Sequence, residues 1–144
     1  MRNVNSSRNL TKAALPFLKL SPAGRIINLS SIGGHVGLNH NVLYSMTKAS
    51  MLLFTQSLAA ELASATGPTS RITVNSVSPG VFATPMNAKF EEGNPAREEI
   101  LRHIPVGRLG QPEELVGVVL YLASGAASYT TGADFKVDGG YCAV

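Results

Sequence analysis

Apolar residues recur along this chain in two rhythms: stripes at three- and four-residue spacing, and short unbroken runs. Val4, Leu10, Ala13, Ala14, Phe17 and Leu18 form a stripe that predicts an amphipathic helix over residues 5–20, with Asn5 or Ser6 as its cap. Ser21-Pro22-Ala23-Gly24 breaks it, and Arg25-Ile26-Ile27-Asn28-Leu29, too short for a helix, reads as a buried strand. Residues 30–41 hold Gly33, Gly34 and Gly37 and read as a loop. Leu43, Met46, Ala49, Leu52, Leu53, Ser57, Ala60 and Ala63 then predict a long helix over residues 41–65, stopped by Gly67-Pro68. A second β-branched run, residues 71–77, is punctuated by Ser78-Pro79-Gly80. Residues 84–111 are polar and broken around one predicted helix near residues 95–103, as in a surface insertion or lid. Pro112 with Glu113 and Glu114 opens a further helix, and residues 133–138 give a last strand ended by Gly139-Gly140.

Strands alternating with long helices imply an α/β fold: a parallel sheet covered by helices on both faces, as in doubly wound domains. Such sheets take ligands outside the carboxyl ends of their strands. The loops at those ends begin at Ser30, Ser78 and Asp138, so functional residues are sought there.

Composition narrows the classes. The 144 residues suit one globular domain, residues 1–144. The net charge of +3 comes from Arg and Lys scattered without a basic run, which argues against nucleic acid as partner. Cys142 is the one cysteine, leaving no intramolecular disulfide and no Cys-based zinc site. A reducing, cytoplasmic setting follows as the default expectation. No apolar stretch approaches the ~20 residues of a membrane helix, and the first residues lack a signal peptide's apolar core, so no membrane partner is expected. His35, His40 and His103 share no helix face and no carboxylate cluster. They read as solvated loop residues, with no metal expected.

Tyr44 and Lys48 stand four apart on the long helix, one turn from each other. A phenol with a pKa of about 10 becomes a usable acid-base group only where a cation favours its phenolate, which a neighbouring ammonium does. A Tyr-x-x-x-Lys pair alone is equally a solvated helix face. Position raises its weight, because Ser30-Ser31 stands at the carboxyl end of the first strand, with Ser31 thirteen residues before Tyr44.

Taken together, Gly24-Arg25-Ile26-Ile27-Asn28-Leu29-Ser30-Ser31, Tyr44-Ser45-Met46-Thr47-Lys48-Ala49, Val74-Asn75-Ser76-Val77-Ser78-Pro79-Gly80 and Thr131-Gly132-Ala133-Asp134-Phe135-Lys136-Val137-Asp138-Gly139-Gly140 resemble the carboxyl-terminal part of short-chain dehydrogenase/reductases, in the subgroup that includes oxoacyl-carrier-protein reductases. The resemblance covers essentially the whole chain. It implies a Rossmann-like fold and an oxidoreductase that interconverts a ketone and a secondary alcohol with NAD or NADP. Tyr44 would be the general acid-base. Lys48 would tune Tyr44 and hydrogen-bond the nicotinamide ribose. Ser31, in preference to Ser30, would hold the substrate oxygen. Asn3, with Asn5 as runner-up, would hold a water linked to the lysine. In the segment Pro79-Gly80-Val81-Phe82-Ala83-Thr84, which would meet the nicotinamide, the Phe82 backbone would contact the carboxamide, and the Thr84 hydroxyl would reach the carboxamide or a phosphate. Phe82 stands where the family usually has Ile or Val. Residues 86–103 match the variable substrate loop, and Asp138 reads as a turn and cap.

The family's Gly-rich dinucleotide turn and its first four strands, roughly a hundred residues at ~30 per βαβ unit, have no counterpart here. The resemblance therefore implies the catalytic portion of a single Rossmann-like domain, inactive as an isolated chain, whose first strand would stand at an open edge. When complete, it would be a homo-oligomer, a dimer or tetramer formed through the helices containing Leu10 and Leu52. Two further readings stay open: a non-catalytic short form acting as an oligomerisation or binding module, and non-redox use of the tyrosine, as in epimerisation.

Overall fold

The structure, a computed structural model, describes residues 2–64 and 71–144, with side chains from Val4 onward. It has seven main elements: α1 (Arg2–Leu18), β1 (Arg25–Leu29), α2 (Val42–Ser64), β2 (Thr73–Pro79), α3 (Pro95–Arg102), α4 (Val116–Ala123) and β3 (Asp134–Val137). The strands form one parallel sheet in the order β1-β2-β3. This is the expected α/β architecture, with β2 in the middle and β1 at an edge.

The pleat sends alternate residues to opposite faces, and each face has its own core. Ile26 and Val74 face α1 and α2, packing with Ala59, Leu62 and Ile72. Ile27, Val77, Phe135 and Val137 face α4, packing on Leu122 and Ala127. The only polar group that β1 sends under α2 is Asn28, whose amide donates to Thr55 Oγ1 at 2.9 Å. Among the described residues no helix is long and apolar enough to cross a membrane.

Several sequence expectations shift. The first helix starts at Arg2, so Asn5 and Ser6 lie inside it rather than capping it. The stripe expected to bury α2 is largely outward: Leu43 and Leu53 are exposed, while Met51, Thr55, Ala59 and Leu62 face the sheet. Apolar residues occupy both sides of α2, so periodicity alone did not select the buried face. The second strand runs Thr73–Pro79, two residues later than its β-branched run, because Ser78 and Pro79 still pair with Lys136 and Val137 of β3. A proline is tolerated there, at the last rung. Short 3₁₀ turns form at Ile32–Gly34 and Pro85–Phe90, where no regular element was expected, and the helix opened by Pro112 begins as a 3₁₀ turn, Pro112–Leu115. The Gly67-Pro68 stop lies outside the described residues.

Candidate active site

At the carboxyl end of the sheet β1, β2 and the segment after β2 open into a cleft of about 650 Å³. Ser30, Ser31, Tyr44, Lys48, Pro79, Gly80, Phe82 and Thr84 all line it. Three separate stretches of sequence are thus gathered at one place. The side chain of Asn3 lies outside those the structure describes.

The two serines differ in what they do. Ser30 Oγ donates to the Lys48 carbonyl at 2.9 Å, tying the end of β1 to α2. Ser31 Oγ instead accepts from Gly33 N at 3.1 Å and caps the 3₁₀ turn, with its hydroxyl proton still available to a ligand. Gly33 has a packing role as well, because a Cβ there would lie 2.9 Å from Leu38 Cδ1 and 3.2 Å from the Tyr44 ring. A side chain at Gly33 would crowd Leu38 and the Tyr44 ring.

Tyr44 is part-exposed, and its hydroxyl makes no hydrogen bond to a described residue. Lys48 Nζ lies 5.7 Å from the Tyr44 ring centroid and donates to Leu29 O at 3.0 Å. That carbonyl belongs to the open edge: Gly24 O and Ser30 N bond to β2, and the alternation of a parallel ladder turns the Leu29 groups the other way. Burial lowers the Lys48 pKa below its ordinary value, and among the described residues no carboxylate lines the cleft to offset this. The site therefore offers a hydroxyl donor, an uncommitted phenol and a partly dehydrated ammonium within one concavity.

The segment after β2 is held by a second small ladder. Phe82 bridges to Gly110, with Ala83 N donating to Gly110 O at 2.8 Å and Gly110 N to Val81 O at 3.0 Å. The Phe82 ring is buried against Gly110, where a Cβ would come within 2.7 Å of it, and Asn87 Nδ2 donates to Phe82 O at 2.9 Å. The phenyl ring at this position is thus housed against a glycine. Asp138 caps the turn after β3 as expected, accepting from Gly140 N and Cys142 N at 3.0 Å each. Burial alone would raise its pKa, but hydrogen bonds from Cys142 and Gly140 hold it below the ordinary value. Burial and the Asp138 carboxylate push the Cys142 thiol up to about 11, so it is no nucleophile at neutral pH.

His35 is an exposed residue of the loop after β1, as expected, and its ring is engaged there as well. Its Nε2 lies 2.8 Å from Asp134 Oδ2 and 3.2 Å from Ser78 Oγ, while Asp134 Oδ1 accepts from Ser76 and Ser78. This polar cluster ties the Ser31 loop to β2 and β3. No periodicity marks it, because its members are about 40 to 100 residues apart in sequence. Asn39, Met86, Lys89, Phe90 and Tyr141 also line the cleft and carried no sequence signal beyond membership of loops.

A family profile described as enoyl-(acyl carrier protein) reductase matches residues 2–142. Among similar proteins, a 3-oxoacyl-(acyl-carrier-protein) reductase of Pseudomonas aeruginosa is 43% identical over 138 residues, 96% of this chain and 53% of that protein. An acetoacetyl-CoA reductase of Cupriavidus necator is 38% identical over the same shares. Among solved structures, a gluconate 5-dehydrogenase of Burkholderia cenocepacia, in complex with NADP and tartrate, superposes with a TM-score of 0.90 at 27% identity, covering 99% of this chain and 54% of that one. The chain spans about half the length of the relatives it matches.

Proposed function

The chain belongs to the short-chain dehydrogenase/reductase family, and on that premise we propose that residues 1–144 are the catalytic carboxyl-terminal portion of a single Rossmann-like domain of an NAD(P)-dependent oxidoreductase that interconverts a ketone and a secondary alcohol. The observation that carries the reading is the convergence of Ser31, Tyr44 and Lys48 with the segment 79–84 in one cleft at the strand ends. The substrate is a small carbonyl or alcohol compound.

The residues present suit the nicotinamide end of the cofactor. Among the described residues the Lys48 ammonium has only a neutral carbonyl as its hydrogen-bond acceptor, and the Phe82 and Thr84 stretch walls the same space. When bound, the nicotinamide supplies or accepts the hydride. Ser31 hydrogen-bonds the substrate oxygen and fixes its position. Tyr44 gives that oxygen a proton during ketone reduction and takes it back during alcohol oxidation. Lys48 holds the ribose and presents its positive charge to the phenol face, and Asn3 is proposed to hold the water that links Lys48 to solvent. The buried walls formed by Ile32 and Phe82 keep bulk water off one side of the reacting centre.

Tyr44→Phe tests this directly. In the enzyme completed with its dinucleotide-binding half, turnover should fall by about 10²-fold or more, while the circular dichroism spectrum stays unchanged. Retention of most turnover would end the assignment.

A second reading is favoured by the apolar surface of α1 and α2: Leu10, Phe17 and Leu53 are exposed, and Leu15, Phe54 and Leu58 help line a separate groove of about 390 Å³. In it, the chain is a non-catalytic module that assembles through these helices, the same pair through which the complete enzyme would form its dimer or tetramer. Calorimetric titration of the chain with NADPH tests what the isolated polypeptide binds by itself: the pyrophosphate-binding turn is not among these residues, so the expected dissociation constant is millimolar or weaker under either reading, and a micromolar one would show a working nucleotide-binding protein.

A further inference from the structure

The lining of the cleft is uneven in charge. Among the described residues its ionised side chains are both cations, Lys48 and Lys89, and no Asp, Glu or His lines it. Lys48 is already engaged with Leu29 O and lies against Tyr44. Lys89 has a different setting. Its ammonium rests 4.9 Å from the centroid of the Phe90 ring, on the 3₁₀ turn Pro85–Phe90, and forms no ion pair with a described residue. Glu91 and Glu92, next in sequence, are exposed and line no part of the cleft. Glu99 of α3 faces Arg102 and His103 instead. The cation over the ring is therefore unpaired among the described residues and exposed, and Met86, Phe90 and Ile100 give the cleft that Lys89 lines an apolar wall.

We propose that the cleft selects carbonyl or secondary-alcohol compounds that carry a carboxylate beyond an aliphatic segment, and that Lys89 receives the carboxylate. The proposal rests on the reading of this cleft as the substrate site. A single ammonium without an accompanying arginine offers one point of charge, which suits a monovalent carboxylate. The aliphatic segment lies on Met86, Phe90 and Ile100, where it removes apolar surface from water. With the carbonyl at Ser31 and Tyr44 and the carboxylate at Lys89, the two ends of the compound are held and the apolar middle lies against these side chains. Lys89 is then a specificity-determining residue that touches no reacting atom.

Selective ¹³C labelling of methionine methyl groups in the full chain gives the test. Met86 lines the cleft, and Met51, buried under the sheet, serves as an internal reference. Hexanoate should shift the Met86 signal at a concentration about fivefold or more below that needed for 1-hexanol, and leave Met51 unmoved. Lys89→Gln should abolish the preference without changing the response to 1-hexanol, and Lys89→Arg should restore it. Equal response to both probes, or a preference that survives Lys89→Gln, would overturn the role of Lys89 and leave the cleft as a substrate site. Failure of both probes to move Met86 would overturn the cleft as the substrate site, and this inference with it.

Discussion

Leu29 of β1 and Val77 of β2 are partners in register on adjacent strands, and their side chains point to the same face of the sheet. Val77 is 1% exposed and Leu29 is 59% exposed. The strands that carry them are alike in sequence, each a short β-branched run with an asparagine inside. They differ in neighbours. β2 is paired on both edges and roofed by α2 and α4, whereas β1 is paired on one edge and its Leu29 joins neither apolar cluster. An Ile-rich run composed for a two-sided interior thus stands at an open edge, and burial follows from what lies beside a strand rather than from what the strand is made of. The same edge explains the use of Lys48, whose ammonium covers the Leu29 carbonyl that a neighbouring strand would otherwise engage.

Paired substitutions measure the comparison where it is largest. Val77→Ala removes methyl groups from the closed cluster with Leu122 and Ala127 and should lower unfolding stability by about 2 kcal/mol in a urea titration. Leu29→Ala removes more side chain but from an exposed position, and should change stability by less than about 0.5 kcal/mol. Similar losses at the two sites would mean that the β1 edge is covered in solution.

The contrast also bears on what the sequence discloses. Run and punctuation gave β1 with the observed bounds, Arg25–Leu29, and placed α3 from its Pro95 onset, because turn residues close both segments locally. The end of β2 was not visible, since Ser78-Pro79 looks like a stop until β3 arrives some 55 residues later to pair with it. The buried face of α2 was likewise hidden, as its choice depends on Thr55 finding Asn28 across the sheet. The cleft was legible in part. Ser31, Tyr44, Lys48 and the stretch 79–84 belong to local motifs at strand ends, whereas Lys89 and Tyr141 come to the cleft through loop paths that no periodicity encodes.

A smaller effect is expected where β2 gains a support that β1 lacks. Asp134 pairs in register with Ser76 and accepts hydrogen bonds from Ser76 and Ser78 on β2 and from the His35 ring on the Ser31 loop. Asp134→Asn keeps an acceptor oxygen for the serines but gives up the charged form of these bonds, at a cost of about 1 kcal/mol. Backbone amide exchange should quicken at Ser76 and Ser78 and in the 3₁₀ turn after Ser31, and stay unchanged at Ile26 in β1. Quickening at Ile26 as well would show that the two strands open together and that the comparison describes burial only.

The smallest effect concerns the ionic staple beside the extension of β2. Arg108 Nη2 lies 2.7 Å from Glu114 Oε1, and Glu114 Oε2 accepts from Gln111 N at 2.7 Å, holding the segment whose Gly110 bridges to Phe82. The Arg108 hydrogen bond, followed by that from Gln111, lowers the Glu114 carboxyl from its ordinary value to about 2. The sign follows from linkage: the folded state binds the proton more weakly than the unfolded chain, so this contribution is complete above a pH of about 4.5 and is lost as pH falls towards 2. Both partners are on the surface, where water and salt screen the pair, so the contribution is slight and should shrink further in 0.5 M NaCl. Glu114→Gln should flatten the decline of stability between pH 4.5 and 2 without altering stability differences among strand variants at neutral pH. If it instead narrowed the gap between Val77→Ala and Leu29→Ala at pH 7, the firmness of β2 would owe more to this staple than to the apolar cluster under it.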